Sequence, residues 1–136
     1  MGSEMPTILI IEDDGETRET LRELLSDREF DVVTAANGRA ALELIRSGLQ
    51  PRLVLLDLMM PEMNGWSFLE QLDRDLPIII VSAFVHDAKT MTAAALLRRP
   101  IGFMTKPINV ETLLDVVRQH CDASMRPSVE ETRHVR

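Results

Sequence analysis

Four short stretches carry the residues able to do chemistry: Glu12-Asp13-Asp14, Asp57, Ser82-Ala83 and Thr105-Lys106-Pro107. Each follows directly on an apolar run, so each reads as a polar strand end. Acids gathered at one place repel and raise one another's pKa unless a cation is shared. Oxygen donors with no His or Cys beside them favour a hard ion, and a site with open positions suits Mg2+. A lysine next to such a site suits a group with several negative oxygens, such as phosphoryl. An Asp carboxylate can itself attack phosphorus to give an aspartyl-phosphate. The protein then needs little beyond alignment and charge neutralisation. The roles that follow are acids holding Mg2+, one Asp attacking, and Ser82 and Lys106 meeting the transferred oxygens.

Positioning them falls to short β-rich runs that alternate with amphipathic segments. The expected strands are Ile8 to Ile11, Asp31 to Ala35, Leu53 to Leu56, Ile78 to Val81 and Ile101 to Met104. The third and fourth are apolar throughout, as in strands covered on both faces of a parallel sheet. A first helix begins near Glu16 and lines up Leu21, Leu24 and Leu25. A second presents Ala41, Leu42 and Ile45, with Asn37 as N-cap and Gly48 as C-terminal stop. A third runs from Gly65 to Asp73, a fourth about Asp87 to Arg98, and a fifth starts after Asn109 with Leu113, Leu114 and Val117 inward. This is an α/β fold of (βα)5 type, a doubly wound parallel five-stranded sheet with right-handed crossovers. Ligands of such sheets bind outside the carboxyl ends of the strands, which brings the four polar stretches to one rim.

The chain is divided as residues 1–5, an N-terminus excluded from the fold, 6–122, one domain, and 123–136, a polar tail or the start of a linker. Its 136 residues, 45% hydrophobic, suffice for one core, and a net charge of -7 argues against nucleic-acid binding by phosphate neutralisation. The single Cys121 excludes an internal disulfide and suits a reducing compartment. No apolar run approaches a membrane span and no signal core opens the chain, so the expected address is cytoplasmic. His86, His120 and His134 stand at no metal-ligand spacing and are read as surface residues.

In combination, Glu12-Asp13, Asp57 with MMPEMNG soon after it, Ser82-Ala83 and Lys106-Pro107 resemble the receiver domain of bacterial two-component response regulators. The resemblance covers residues 6 to 121. It implies a flavodoxin-like sheet of strand order 2-1-3-4-5, with Asp57 phosphorylated by a histidine kinase or phosphotransfer protein. It further implies Asp13 as a direct Mg2+ ligand, Glu12 acting through water, and the backbone carbonyl of Met59 completing the protein ligands beside Asp57. Ser82 becomes the hydroxyl that moves to the phosphoryl, Lys106 its ion-pair partner, and Phe103 the switch aromatic. The Lys106-Pro107 bond is expected to be cis. The face made by the fourth helix, fifth strand and fifth helix would then bind a downstream partner or output domain, or form a homodimer. No enzymatic activity is implied beyond the domain's own phosphorylation and dephosphorylation, and no DNA-binding helix pair follows.

The sequence also departs from the family. Asp57 to Ser82 is short, which points to a truncated third helix or loop. Ser82 to Lys106 is slightly long, with Arg98-Arg99-Pro100-Ile101-Gly102 before the fifth strand. Met59 and Phe84 are apolar where the family tunes phosphoryl lifetime, so slow self-dephosphorylation is expected.

Each residue has a plainer reading when taken singly. Asp57 would be a cap, Ser82 a turn residue, Lys106 a solvated charge, and Phe103 packing in an edge strand. Met59, Met60 and Met63 read as loop packing, and the Arg and Glu of the first helix as a solvated face. Two other function classes stand beside the receiver. One is a Mg2+ phosphatase or phosphotransferase with an Asp nucleophile, which usually has a second Asp where this chain has Met59. The other is a receiver-like module that binds partners without phosphorylation.

Overall fold

A computed structural model describes residues 5–58, 65–82 and 100–125, without the side chains of Trp66, Pro100, Ile101 and residues 122–125. Met59, Met60, Met63, Ala83, Phe84, His86, His134, Arg98, Arg99, the expected fourth helix and the tail after residue 125 lie outside the described residues. Strands β1 (Thr7–Ile11), β2 (Asp31–Ala35), β3 (Leu53–Leu56), β4 (Ile78–Ser82) and β5 (Pro100–Thr105) form one sheet in the order β2-β1-β3-β4-β5. All four pairings are parallel. Helices α1 (Gly15–Ser26), α2 (Gly38–Arg46), α3 (Gly65–Gln71) and a C-terminal helix (Val110–Met125) accompany it.

Strand parity sorts the core into two layers. Leu9, Ile11, Val54, Leu56, Ile78 and Ile80 pack with Ala41, Leu42 and Ile45 of α2 and Phe68 and Leu69 of α3. Ile8, Ile10, Leu53, Leu55, Ile79 and Val81 pack instead with Leu21 and Leu25 of α1 and Leu113, Leu114 and Val117 of the C-terminal helix. Alternation of side chains across a strand produces this division. Covering on both faces explains why β3 and β4 can be apolar at every core position. Each fully buried Leu or Ile contributes about 1.5–3 kcal/mol relative to exposure.

The ends of the elements follow from local chemistry. Asn37 Oδ1 accepts from the backbone N–H of Ala40 at 2.8 Å and opens α2, as expected. Gly48 follows α2 with φ +119°, a conformation a β-carbon would strain, and Leu49 N–H donates to Leu44 O at 3.0 Å. Asn109 Oδ1 accepts from Thr112 N–H at 2.9 Å and opens the C-terminal helix. That helix continues to Met125, three residues past Asp122, where the apolar periodicity ends. Helix α3 stops at Gln71 rather than Asp73, so the shortened segment after Asp57 holds a helix of 7 residues. Between β4 and β5 the register shifts at Ile78/Ile79. Pro100, which lacks an N–H, starts the edge strand, where proline is tolerated. Cys121 is buried in the α1-side layer as a packed thiol.

Candidate functional site

The rim is built by continuing the sheet's hydrogen bonds past the strand ends. Glu12 N–H donates to Ala35 O, Asp57 N–H to Ile11 O and Lys106 N–H to Ser82 O, each at 3.0 Å. The backbones of three candidate site residues are thus final rungs between neighbouring strands. Parity then selects the side. Glu12 continues the Ile8 and Ile10 series, Asp57 the Leu53 and Leu55 series, and Lys106 follows Met104, all of the α1-side layer. Their side chains meet. Lys106 Nζ lies 3.0 Å from Glu12 Oε1 and 3.4 Å from Asp57 Oδ2.

Asp13 completes the group. One carboxylate oxygen from each of Glu12, Asp13 and Asp57 lies within 4.8 Å of the others. Glu12 and Asp57 are 2% and 5% exposed, so two acids sit under the surface while Asp13 is open to solvent. Burial raises the Glu12 pKa, helped by the charge of Asp57 and opposed by the hydrogen bond from Lys106. For Lys106, burial pulls downward, but the Glu12 hydrogen bond and the Asp57 charge outweigh it and hold the ammonium above its usual range. The Lys106–Pro107 bond is cis.

Ser82 closes β4, fully buried, and pairs in register with Thr105. It belongs to the other parity, that of Ile78 and Ile80, so it approaches the rim from the α3 side. Phe103 is partly buried and packs against the same layer. The described residues therefore bring Glu12, Asp13, Asp57 and Lys106 into one cluster, with the Ser82 carbonyl accepting from Lys106 N–H and Phe103 packed in the α3-side layer. Gly65 supports the acceptor strand from below. Its N–H donates to Leu58 O at 2.9 Å, and an added Cβ would stand 2.7 Å from Leu58 Cα and 3.0 Å from Asp57 O.

Asp14 has a defined place here as the N-cap of α1. Its carboxylate accepts from Thr17 N–H at 2.9 Å and from the Thr17 hydroxyl at 2.5 Å. The hydroxyl contact, with the amide contact after it, lowers its pKa. The spacing Asp14-x-x-Thr17 was the available signal, since an N-cap acid bonds the third helical residue. Asp14 N–H in turn donates to Glu12 Oε2 at 3.2 Å. Arg18 also departs from the solvated face expected of α1: its guanidinium donates to the carbonyl of Glu12. Arg22 and Glu19 do form an exposed pair on that helix. A cavity of about 410 Å³ lies alongside, lined by Thr17, Thr20, Leu21, Lys106 and Ile108 among others.

Residues 8–118 match the family model of the response regulator receiver domain. The chain is similar to protein-glutamate methylesterase/protein-glutamine glutaminase 3 of Paramagnetospirillum magneticum, 38% identical over 114 residues, which are 81% of this chain and 31% of that protein. It is likewise 38% identical over 114 residues to response regulator MprA of Mycolicibacterium vanbaalenii, covering 82% of this chain and 48% of that one. It thus spans half or less of the length of these two relatives. Among solved structures, TrrA of Thermotoga maritima in complex with Mg(2+)-BeF superposes with a TM-score of 0.73 at 28% identity, covering 85% of this chain and 98% of that one. Two-sided sheet, acidic rim and sequence likeness agree, and the chain belongs to the response regulator receiver domain family.

Proposed function

We propose that this receiver accepts a phosphoryl group on Asp57 from a histidine kinase or phosphotransfer protein. The observation that carries the reading is the Lys106 ammonium, 3.4 Å from Asp57 Oδ2 inside a cluster of three carboxylates. Asp57 Oδ attacks phosphorus as the phosphorus–nitrogen bond of a phosphohistidine breaks. The imidazole leaves with the bond's electron pair, neutral because its other nitrogen carries a proton. Lys106 stays at the acceptor and pairs with the oxygens that arrive.

The donor set suits Mg2+: all oxygen and close together, with two of the three acids buried and Asp13 open to solvent. Asp13 and Asp57 would hold the ion directly, Glu12 through water, and the Met59 carbonyl would be the remaining protein ligand. When bound, the ion neutralises charge on the phosphoryl oxygens. Ser82 would then turn to the phosphoryl and Phe103 would follow inward, altering the face made by the fourth helix, β5 and the C-terminal helix. A downstream protein, an output domain or a second copy would read that face. This is a two-state element biased by a local charge. The domain is assigned from residue 6 to the end of the C-terminal helix at Met125, with the residues after it as tail or linker, in a cytoplasmic setting.

The test is labelling with acetyl phosphate and Mg2+, comparing the wild type with Asp57→Asn. Label confined to the wild type is expected. Equal labelling of both would overturn the assignment.

A further inference from the structure

Arg18 occupies the second turn of α1, and its side chain folds back over the start of the helix. Nη1 donates to Glu12 O at 2.9 Å and lies 3.4 Å from Asp13 O. A Cβ added at Gly15 would come within 3.6 Å of Nη2, so the guanidinium passes directly over that residue. Its own backbone N–H donates to Asp14 O at 2.9 Å, which ties the side chain's root to the same loop. The two carbonyls it reaches belong to the consecutive residues whose carboxylates meet Asp57.

The sheet's hold on this loop ends at the Ile11–Glu12 peptide unit. Glu12 N–H is bonded to Ala35 O, but Asp13 stands one residue past that final rung and is exposed. Rotation of the Glu12–Asp13 peptide units would swing the Asp13 carboxylate away from its partners. A guanidinium fixes such a pair of acceptors because its donors sit in a rigid plane. We propose that Arg18 is a positioning residue for the cation site, holding the Glu12 and Asp13 peptide units so that both carboxylates stay aimed at Asp57. The proposal rests on the reading that these three acids hold Mg2+.

Charge and position make opposite predictions for this residue. Removing a positive group near three acids would, by charge alone, tighten cation binding. Losing the hold on the loop weakens it. Mg2+ affinity measured by titration calorimetry on the wild type, Arg18→Ala and Arg18→Lys separates the two. Arg18→Ala is expected to bind Mg2+ about tenfold more weakly, the low end for groups behind a metal ligand. Arg18→Lys keeps the charge without the fork and is expected to fall between, roughly threefold weaker than wild type. In acetyl phosphate labelling, Arg18→Ala should need more Mg2+ for half-maximal rate while reaching the wild-type rate at saturation. Equal or tighter Mg2+ binding by Arg18→Ala, with a wild type that binds and labels, overturns the proposal alone. Should the Ala variant not fold, wild-type affinity in Arg18→Lys overturns it. A wild type that neither binds Mg2+ nor labels overturns the phosphoacceptor reading and this one with it.

Discussion

Lys106 sits closer to Glu12 than to Asp57, at 3.0 Å against 3.4 Å. The ammonium bridges two buried acids and compensates both. Lys106→Met would leave them without that charge, and stability should fall by roughly 1–2 kcal/mol, a figure kept low because the lysine is partly exposed. The pH dependence has a definite sign. Lys106 is held above its usual range, so its contribution is complete below the ordinary lysine pKa and is lost as pH rises through the raised value. Denaturant titrations across the alkaline range should show this loss in wild type and not in Lys106→Met. Parallel curves would remove Lys106 from the account.

Divalent cation should act as a folding ligand. With free Mg2+ at a hundred times its dissociation constant, the native state gains about 2.7 kcal/mol by mass action. Thermal melts should rise on adding Mg2+ and return on chelation. In Asp13→Asn the rise should be much reduced. A melt that ignores Mg2+ would leave the three carboxylates without the proposed ion.

Asp14 separates capping from charge. Its pKa is lowered by the Thr17 contacts, so its contribution is present above the unfolded value and lost as pH falls through the folded one. Asp14→Asn can still cap α1 and should melt near wild type at neutral pH, while lacking that part of the acid-side loss. Asp14→Ala should melt lower at neutral pH as well. Melting curves for the three proteins from neutral to acid pH make the comparison, and indistinguishable neutral melts for Asn and Ala would contradict the cap.

Gly65→Ala tests the support behind the acceptor. The added methyl would meet Leu58 Cα at 2.7 Å and Asp57 O at 3.0 Å, backbone that cannot step aside cheaply. Overpacking of this kind costs about 1–3 kcal/mol. Because the displaced backbone carries Asp57, acetyl phosphate labelling should slow along with the loss of stability. Wild-type stability and rate in Gly65→Ala would show that the loop relaxes freely.

Much of this was legible in the residues because apolar runs and strand ends are local signals. LVLL before Asp57 and IIIV before Ser82 give two-sided strands, and the carboxyl-end rule brings the polar strand ends to one rim. Asn37 and Asn109 announced their helices by type and place. What escaped depended on reach through space. Glu12 pairs closely with Lys106 across the sheet, a contact set by three-dimensional separation rather than sequence spacing. Arg18 looked like any arginine on a charged helix face, and only the turn of α1 against the end of β1 gives it two carbonyls. The extension to Met125 escaped because the apolar periodicity stops at Asp122 while the helical backbone runs on.

The final rung at Asp57 carries a consequence for how the protein opens. The Asp57 amide bridges β3 and β1, both central strands, and exchanges its hydrogen only when that ladder comes apart, so it should share the protection of the global unfolding unit. The Thr17 amide, held by the exposed Asp14, belongs to a helix start that can fray by itself. Exchange would then divide the rim into a slow floor and a fast wall. The acceptor stands on the floor, so its backbone should keep its place for as long as the sheet exists.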